Sequence, residues 1–290
     1  MSGNRRGLRL AWWLSLAVGL LMATSAAGGL WVSDYYRDAP EVRAMLRGYD
    51  LVTLIVVVPL LAGTLVAARR GPGPSAVLLW TGILFYAVYN CMTTLFGSVF
   101  NDFFLLQVSL LPGSVAALVT LLANLDAADV KRRFRPRTPT RGISALLAVV
   151  AISLGGMWGY SAMRYAVTGE RPSESALVLP ADRVHLAYVL DLGLLVPALL
   201  LGAVLLWRRT PWGYVLAPSL LVYLVLYQGN YVTALVFQSR AGIPDSQAYD
   251  PVEPYIAGVL LVAAVVMFAG LRRPRPSGSG GPPAATRPRH

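Results

Sequence analysis

Cysteine, lysine and histidine are nearly missing from this chain of 290 residues, and each absence closes a class of chemistry. The one cysteine, Cys91, lies inside an apolar stretch, which excludes a disulfide framework and a cysteine metal cluster. Two histidines, His185 and His290, do not make a histidine-rich metal site. The single lysine, Lys131, falls in a basic loop, whereas a retinal protein needs a Schiff-base lysine within the membrane. No glycine-rich nucleotide loop and no Gly-x-Ser-x-Gly elbow occurs, so neither cofactor nor metal is expected. Charge is scarce as well: 13% of residues are charged and 56% hydrophobic, which leaves no room for a separate soluble domain.

What the chain does have is eight long apolar stretches. They run roughly from Leu10 to Trp31, Leu51 to Ala68, Ala76 to Phe96, Phe103 to Leu125, Ile143 to Ala162, Val184 to Trp207, Trp212 to Phe237 and Tyr255 to Leu271. At about 1.5 Å per residue, each crosses a hydrocarbon layer of roughly 30 Å as a helix. If the chain starts inside, the inner segments collect 18 of its 25 basic residues, from Arg5, Arg6 and Arg9 through Arg69, Arg70, Lys131 to Arg141, Arg208 and Arg209 to the C-terminal arginines. Of the 14 acids only Asp126 and Asp129 fall on that side. Orientation follows Lys and Arg near helix ends, so the expectation is an all-α, polytopic membrane helical bundle of eight transmembrane helices with both termini cytoplasmic. Residues 1–272 then form one transmembrane domain in the cell membrane. The Pro- and Gly-rich residues 273–290 are expected to be a disordered cytoplasmic tail.

The basic balance calls for no nucleic acid, because the arginines sit at helix ends without interleaved aromatics. Anionic lipid headgroups at the cytoplasmic face of the bilayer are the expected partners. A competing reading of the N-terminus is a cleavable signal peptide, since three arginines precede an apolar run that reaches Ser25 and Ala27. The run continues to Trp31, long enough to span.

Polar residues inside the stretches are unevenly placed. Asp50 opens the second, Asn101 and Asp102 the fourth, Glu253 precedes the eighth, and Asp191 lies about 10 Å into the sixth. Asn90, Thr93, Thr94, Gln107, Gln228, Asn230 and Thr233 join them in the extracytoplasmic half. Polar groups facing lipid go unsatisfied at considerable cost, so this set is expected to turn inward and converge on a cavity. Helical spacing agrees: Tyr86, Asn90, Thr93 and Thr94 share a face of the third helix, Tyr223, Tyr227, Asn230 and Tyr231 a face of the seventh, and Tyr188, Asp191 and Leu195 a face of the sixth. The plainer alternative is interhelical glue, in which such side chains contribute about 1 kcal/mol or less each. Asp50, Asp102 and Glu253 can equally serve as acids that begin helices.

Pro59, Pro112, Pro197 and Pro218 fall near mid-span, where each removes a backbone hydrogen bond and favours a kink. Setting Pro59 over Pro197 aligns DLVTLIVVVPLLAGTLVAARRGPG with DLGLLVPALLLGAVLLWRRTPWG, and the same offset sets Tyr89 and Asn90 over Tyr227 and Gln228. Two parallel four-helix repeats would produce this pattern.

The runs RGYDLVTLIVVVPLL, YNCMTTLFGSVFNDFFLLQVSLL and RRTPWGYVLAPSLLV resemble an uncharacterised family of bacterial polytopic membrane proteins. They cover about a fifth of the chain. The resemblance implies fold and membrane location and supplies no reaction. The chain departs from the family pattern at Tyr223, where Lys is common, and in a more polar seventh span.

Three classes of function compete. A carboxylic acid in an apolar pocket keeps its proton near neutral pH, so Asp191, Asp50 and Asp102 are candidate general acids of an intramembrane enzyme with a small lipophilic substrate. Tyr86, Tyr89, Phe100, Tyr188, Tyr227 and Tyr231 would line its cavity and stabilise a carbocation, with Asn90, Gln107, Gln228 and Asn230 as hydrogen-bonding groups. Those parts are similar to what integral membrane terpene cyclases need, lyase or isomerase chemistry of secondary metabolism; the chain's size and helix number match, and its 24 arginines to one lysine fit a GC-rich genome. The second class is a transporter or exporter of a small lipophilic molecule, though no acid lines the inner half as ion coupling would require. The third is a non-catalytic sensor or assembly protein.

Overall fold

The computed structural model describes residues 5–70, 73–170, 176–180 and 183–272, so the expected tail at 273–290 lies outside the described residues. Nine helices account for nearly all of it: α1 (Arg5–Trp31), α2 (Pro40–Arg69), α3 (Pro74–Gly97), α4 (Phe104–Ala123), α5 (Ala127–Arg132), α6 (Thr140–Thr168), α7 (His185–Trp207), α8 (Gly213–Arg240) and α9 (Glu253–Ala269). Seven of them are long and apolar enough to cross a membrane; α9 is equally apolar but has 17 residues, and α5 is a short surface helix. The chain is a multi-pass membrane protein. Its outer surface agrees, since Leu20, Val149, Ile152, Val262 and Val265 are more than half exposed, which suits lipid as solvent rather than water.

Several helix ends that carry arginine meet at one end of the bundle. Asn124 at the end of α4 packs against Gly7 of α1, Arg69 at the end of α2 stacks over Trp12 of α1 at 3.8 Å, and Arg141 of α6 lies over Trp207 of α7. The end of α9 joins them, because Arg135 N–H donates to Gly270 and Arg272 N–H to the Arg133 carbonyl, both at 2.8 Å. Glu253, the first residue of α9, bonds Gln228 near the middle of α8.

α3 and α8 form the centre, with 67% and 56% of their apolar windows buried against 28–39% for the other spans. Glycine makes the crossing close: a Cβ on Gly82 would strike the Ser219 carbonyl, and one on Gly48 of α2 would strike the α8 backbone at Ala234. Beneath the middle of the bundle the packing is solid, built from Leu61, Leu65, Val77, Leu78, Trp80, Leu206, Val215 and Ala217, each at most 3% exposed.

α2 and α7 each widen into a π turn, Thr53–Val57 and Asp191–Leu195, where Val58 N–H reaches Thr53 O and Val196 N–H reaches Asp191 O. A proline follows at the second residue after each turn, and lacking an N–H it cannot restore the α register. Thr53 and Asp191 are 138 residues apart, and so are Pro59 and Pro197. The second helix also begins earlier than its apolar run: PEVRAMLRGYD is helical, burying Val42, Met45 and Leu46 against protein rather than lipid. Asp50 is therefore mid-helix and not a helix start.

Candidate functional site

At the end opposite Arg69, Arg141 and Arg272 a cavity of about 490 Å³ opens between α2, α3, α6, α7 and α8. Tyr49, Tyr89, Trp158, Tyr188, Tyr227 and Tyr231 give it aromatic walls, Asn90, Thr93 and Asn230 polar ones, and Met45, Leu186 and Leu190 apolar ones. Arg183, Asp245 and Gln247 reach it from the loops. Residues 176–179 cross its loop side, held by Gln238: the Val178 N–H donates to Oε1 at 3.0 Å, while Nε2 donates to the Val178 carbonyl at 2.7 Å and the Glu41 carbonyl at 3.0 Å.

Asp191 stands directly behind the aromatic wall, fully buried, and does not itself line the cavity. As the first residue of the π turn its side chain points into the bundle, where Tyr89 OH donates to Oδ1 at 2.5 Å and Trp158 Nε1 to Oδ2 at 2.9 Å. A longer bond of 3.5 Å comes from Tyr227 OH. All three donors line the cavity. The rings of Tyr89, Tyr223 and Tyr227 gather with centroids 5.4–5.8 Å apart, and Tyr188 packs on Trp158 at 4.2 Å while its hydroxyl donates to Ser161.

A second network ties α2, α3 and α8 together. Tyr86 OH donates to Asn230 Oδ1 at 3.0 Å, so the Thr53 hydroxyl, 2.8 Å away, is the donor to Tyr86; Asn230 Nδ2 then donates to Asn90 Oδ1 at 3.0 Å. The π turn thus aims Thr53 at the central helices, as the other π turn aims Asp191.

The candidate residues read from the sequence separate into groups. Tyr89, Asn90, Tyr188, Tyr227, Asn230 and Tyr231 line the cavity, with Asp191 and Tyr86 immediately behind. Asp50 and Gln107 instead face a separate void of about 20 Å³, room for one water; Asp50 accepts from Tyr36 OH at 2.8 Å, and Gln107 Oε1 from Asn101. Gln228 turns toward α9 and bonds Glu253. Asp102 is exposed in an ion pair with Arg37, and Phe100 is 76% exposed beside Phe104, so neither belongs to the cavity. Trp158, Tyr49, Arg183 and the 176–179 segment were not anticipated. A lone tryptophan in an apolar span has no pattern to mark it.

In the loop before α2, Asp38 accepts from the Val99 N–H at 2.9 Å, and burial holds its carboxyl above the usual carboxylate range. The Val99 bond and Arg183 offset part of that effect. Arg183 in turn donates to the Gly97 carbonyl at 2.8 Å, at the end of α3. Among the described residues no three His, Cys, Asp or Glu side chains gather as metal ligands would. No protein-family profile, curated protein or solved structure matches the chain.

Proposed function

We propose that the chain is an eight-span protein of the cell membrane with both termini cytoplasmic, and that it is an intramembrane enzyme whose lipophilic substrate occupies the cavity. The observation that carries this reading is the Tyr89–Asp191 pair: a 2.5 Å bond holds a proton between a phenol on the cavity wall and a carboxyl group behind it. In the direction of proton removal, Tyr89 takes a proton from the substrate as it passes its own to Asp191; in the reverse direction the pair returns one. Proton removal at one carbon and return at another is isomerase or lyase chemistry of the kind a terpene cyclase performs. Tyr89 is then the catalytic residue and Asp191 the positioning one, with Tyr227 and Trp158 orienting the carboxyl group. Neither Asp50 nor Asp102 takes part.

The test uses purified protein in lipid nanodiscs, an isoprenoid β,γ-unsaturated ketone as probe, and deuterated water. Deuterium is expected in a rearranged product, with Tyr89→Phe and Asp191→Asn lowering the rate at least about 100-fold and Asp102→Asn leaving it unchanged. Undiminished product from Asp191→Asn would contradict the assignment. The paired π turns favour a second reading, a carrier built from two parallel repeats, because such carriers bind substrate between repeats at interrupted helices. Solid packing from Leu61 to Ala217 below the cavity counts against it.

A further inference from the structure

We infer that the cavity takes an organic cation of the ammonium type, whose charge is balanced by the Asp191 carboxylate behind the aromatic wall. The inference rests on the cavity being the binding site, as proposed above, and not on any turnover there.

The hydrogen bonds in the wall suit a carboxylate. Trp158 Nε1–H can only donate, so Asp191 Oδ2 is an acceptor, and the 2.5 Å bond from Tyr89 has the length of a hydroxyl donating to a carboxylate. Three neutral donors surround the group and, among the described residues, no arginine, lysine or histidine is bonded to it. A fully buried carboxylate without a protein cation calls for a countercharge, and in membrane proteins such groups mark ligand counter-ions.

The cavity is the adjacent space from which a countercharge can come. Tyr89, Tyr227 and Trp158 commit their polar hydrogens to Asp191, and Tyr188 commits its own to Ser161. What these four rings leave for a ligand is electron-rich π surface and phenol oxygen lone pairs, both of which attract cations. Arg183 and Asp245, the charged residues on the wall, are of opposite sign, and Arg183 donates to the Gly97 carbonyl. A volume of about 490 Å³ suits an organic ion with a hydrocarbon or aryl body, which Met45, Leu186 and Leu190 would receive.

Benzyltrimethylammonium and its uncharged carbon isostere, neopentylbenzene, have the same shape and differ in charge, so their affinities for the full chain in nanodiscs isolate the effect. Wild-type protein is expected to bind the ammonium at least about 10-fold more tightly than the isostere. Asp191→Asn should bring the two within about 3-fold while leaving the isostere's affinity unchanged, which also reports that the variant is folded. Equal affinities in the wild type, a comparison that needs no variant, would overturn the inference. Ammonium preference in a protein without proton-transfer activity would sink the enzyme reading alone, and activity without preference would sink the cation site alone.

Discussion

Three of the four buried carboxyl groups among the described residues are held in three ways, and the differences decide what each can do. Asp191 is met by three donors on a cavity wall, Asp50 by one tyrosine beside a water-sized void, and Asp38 by one backbone N–H with its second oxygen unbonded. Asp38 lies in a loop, and its carboxyl is raised by burial, so the native state binds that proton more tightly than the unfolded chain does. Its contribution to stability is therefore greatest below the ordinary carboxylate range and is lost as pH rises toward the folded value. Asp38→Asn keeps the acceptor for Val99 and removes the titration. Its melting temperature should gain on the wild type's between mildly acidic and neutral pH, as thermal unfolding in detergent would measure; parallel curves would contradict the assigned cause. Legibility at this scale followed chemistry more than distance. Asp191 and the tyrosines stood out because a carboxylate in an apolar run has few bland explanations. Asp102 and Asp50 looked equivalent on the page, and only packing separates an exposed ion pair from a buried hydrogen bond.

Among the helices, close approach is what glycine provides. Gly82 brings α3 against the Ser219 carbonyl of α8, so Gly82→Ala should cost about 2 kcal/mol, whereas Gly156→Ala, with open space around it on α6, should be neutral or gain up to about 1 kcal/mol from helix propensity. Denaturant unfolding in mixed micelles separates the two, and equal effects would contradict the crossing geometry. The spans were readable in outline because a bilayer demands long apolar helices. The start of α2 was not, since its first turns bury their apolar side against the loop cluster of Tyr35, Tyr36 and Leu177 and leave hydropathy low. The prolines indicated where α2 and α7 depart from α geometry, but the direction in which a π turn aims Thr53 or Asp191 depends on one extra residue per turn. No periodicity argument contains that.

Across the described residues, the helix ends bearing Arg69, Arg141 and Arg272 assemble at one end and the cavity opens at the other, with solid packing between. The cavity's residues come from five helices and a loop, a set that no local pattern could collect. The function proposed requires that what occupies the cavity is felt at Asp191 through the tyrosines. Infrared difference spectroscopy of the protein with and without benzyltrimethylammonium reads the carboxyl group itself. A carboxylate band that shifts on binding in the wild type, is displaced in Tyr89→Phe and is missing in Asp191→Asn is the predicted result. Identical difference spectra from wild type and Asp191→Asn would contradict the link between the carboxyl group and the cavity.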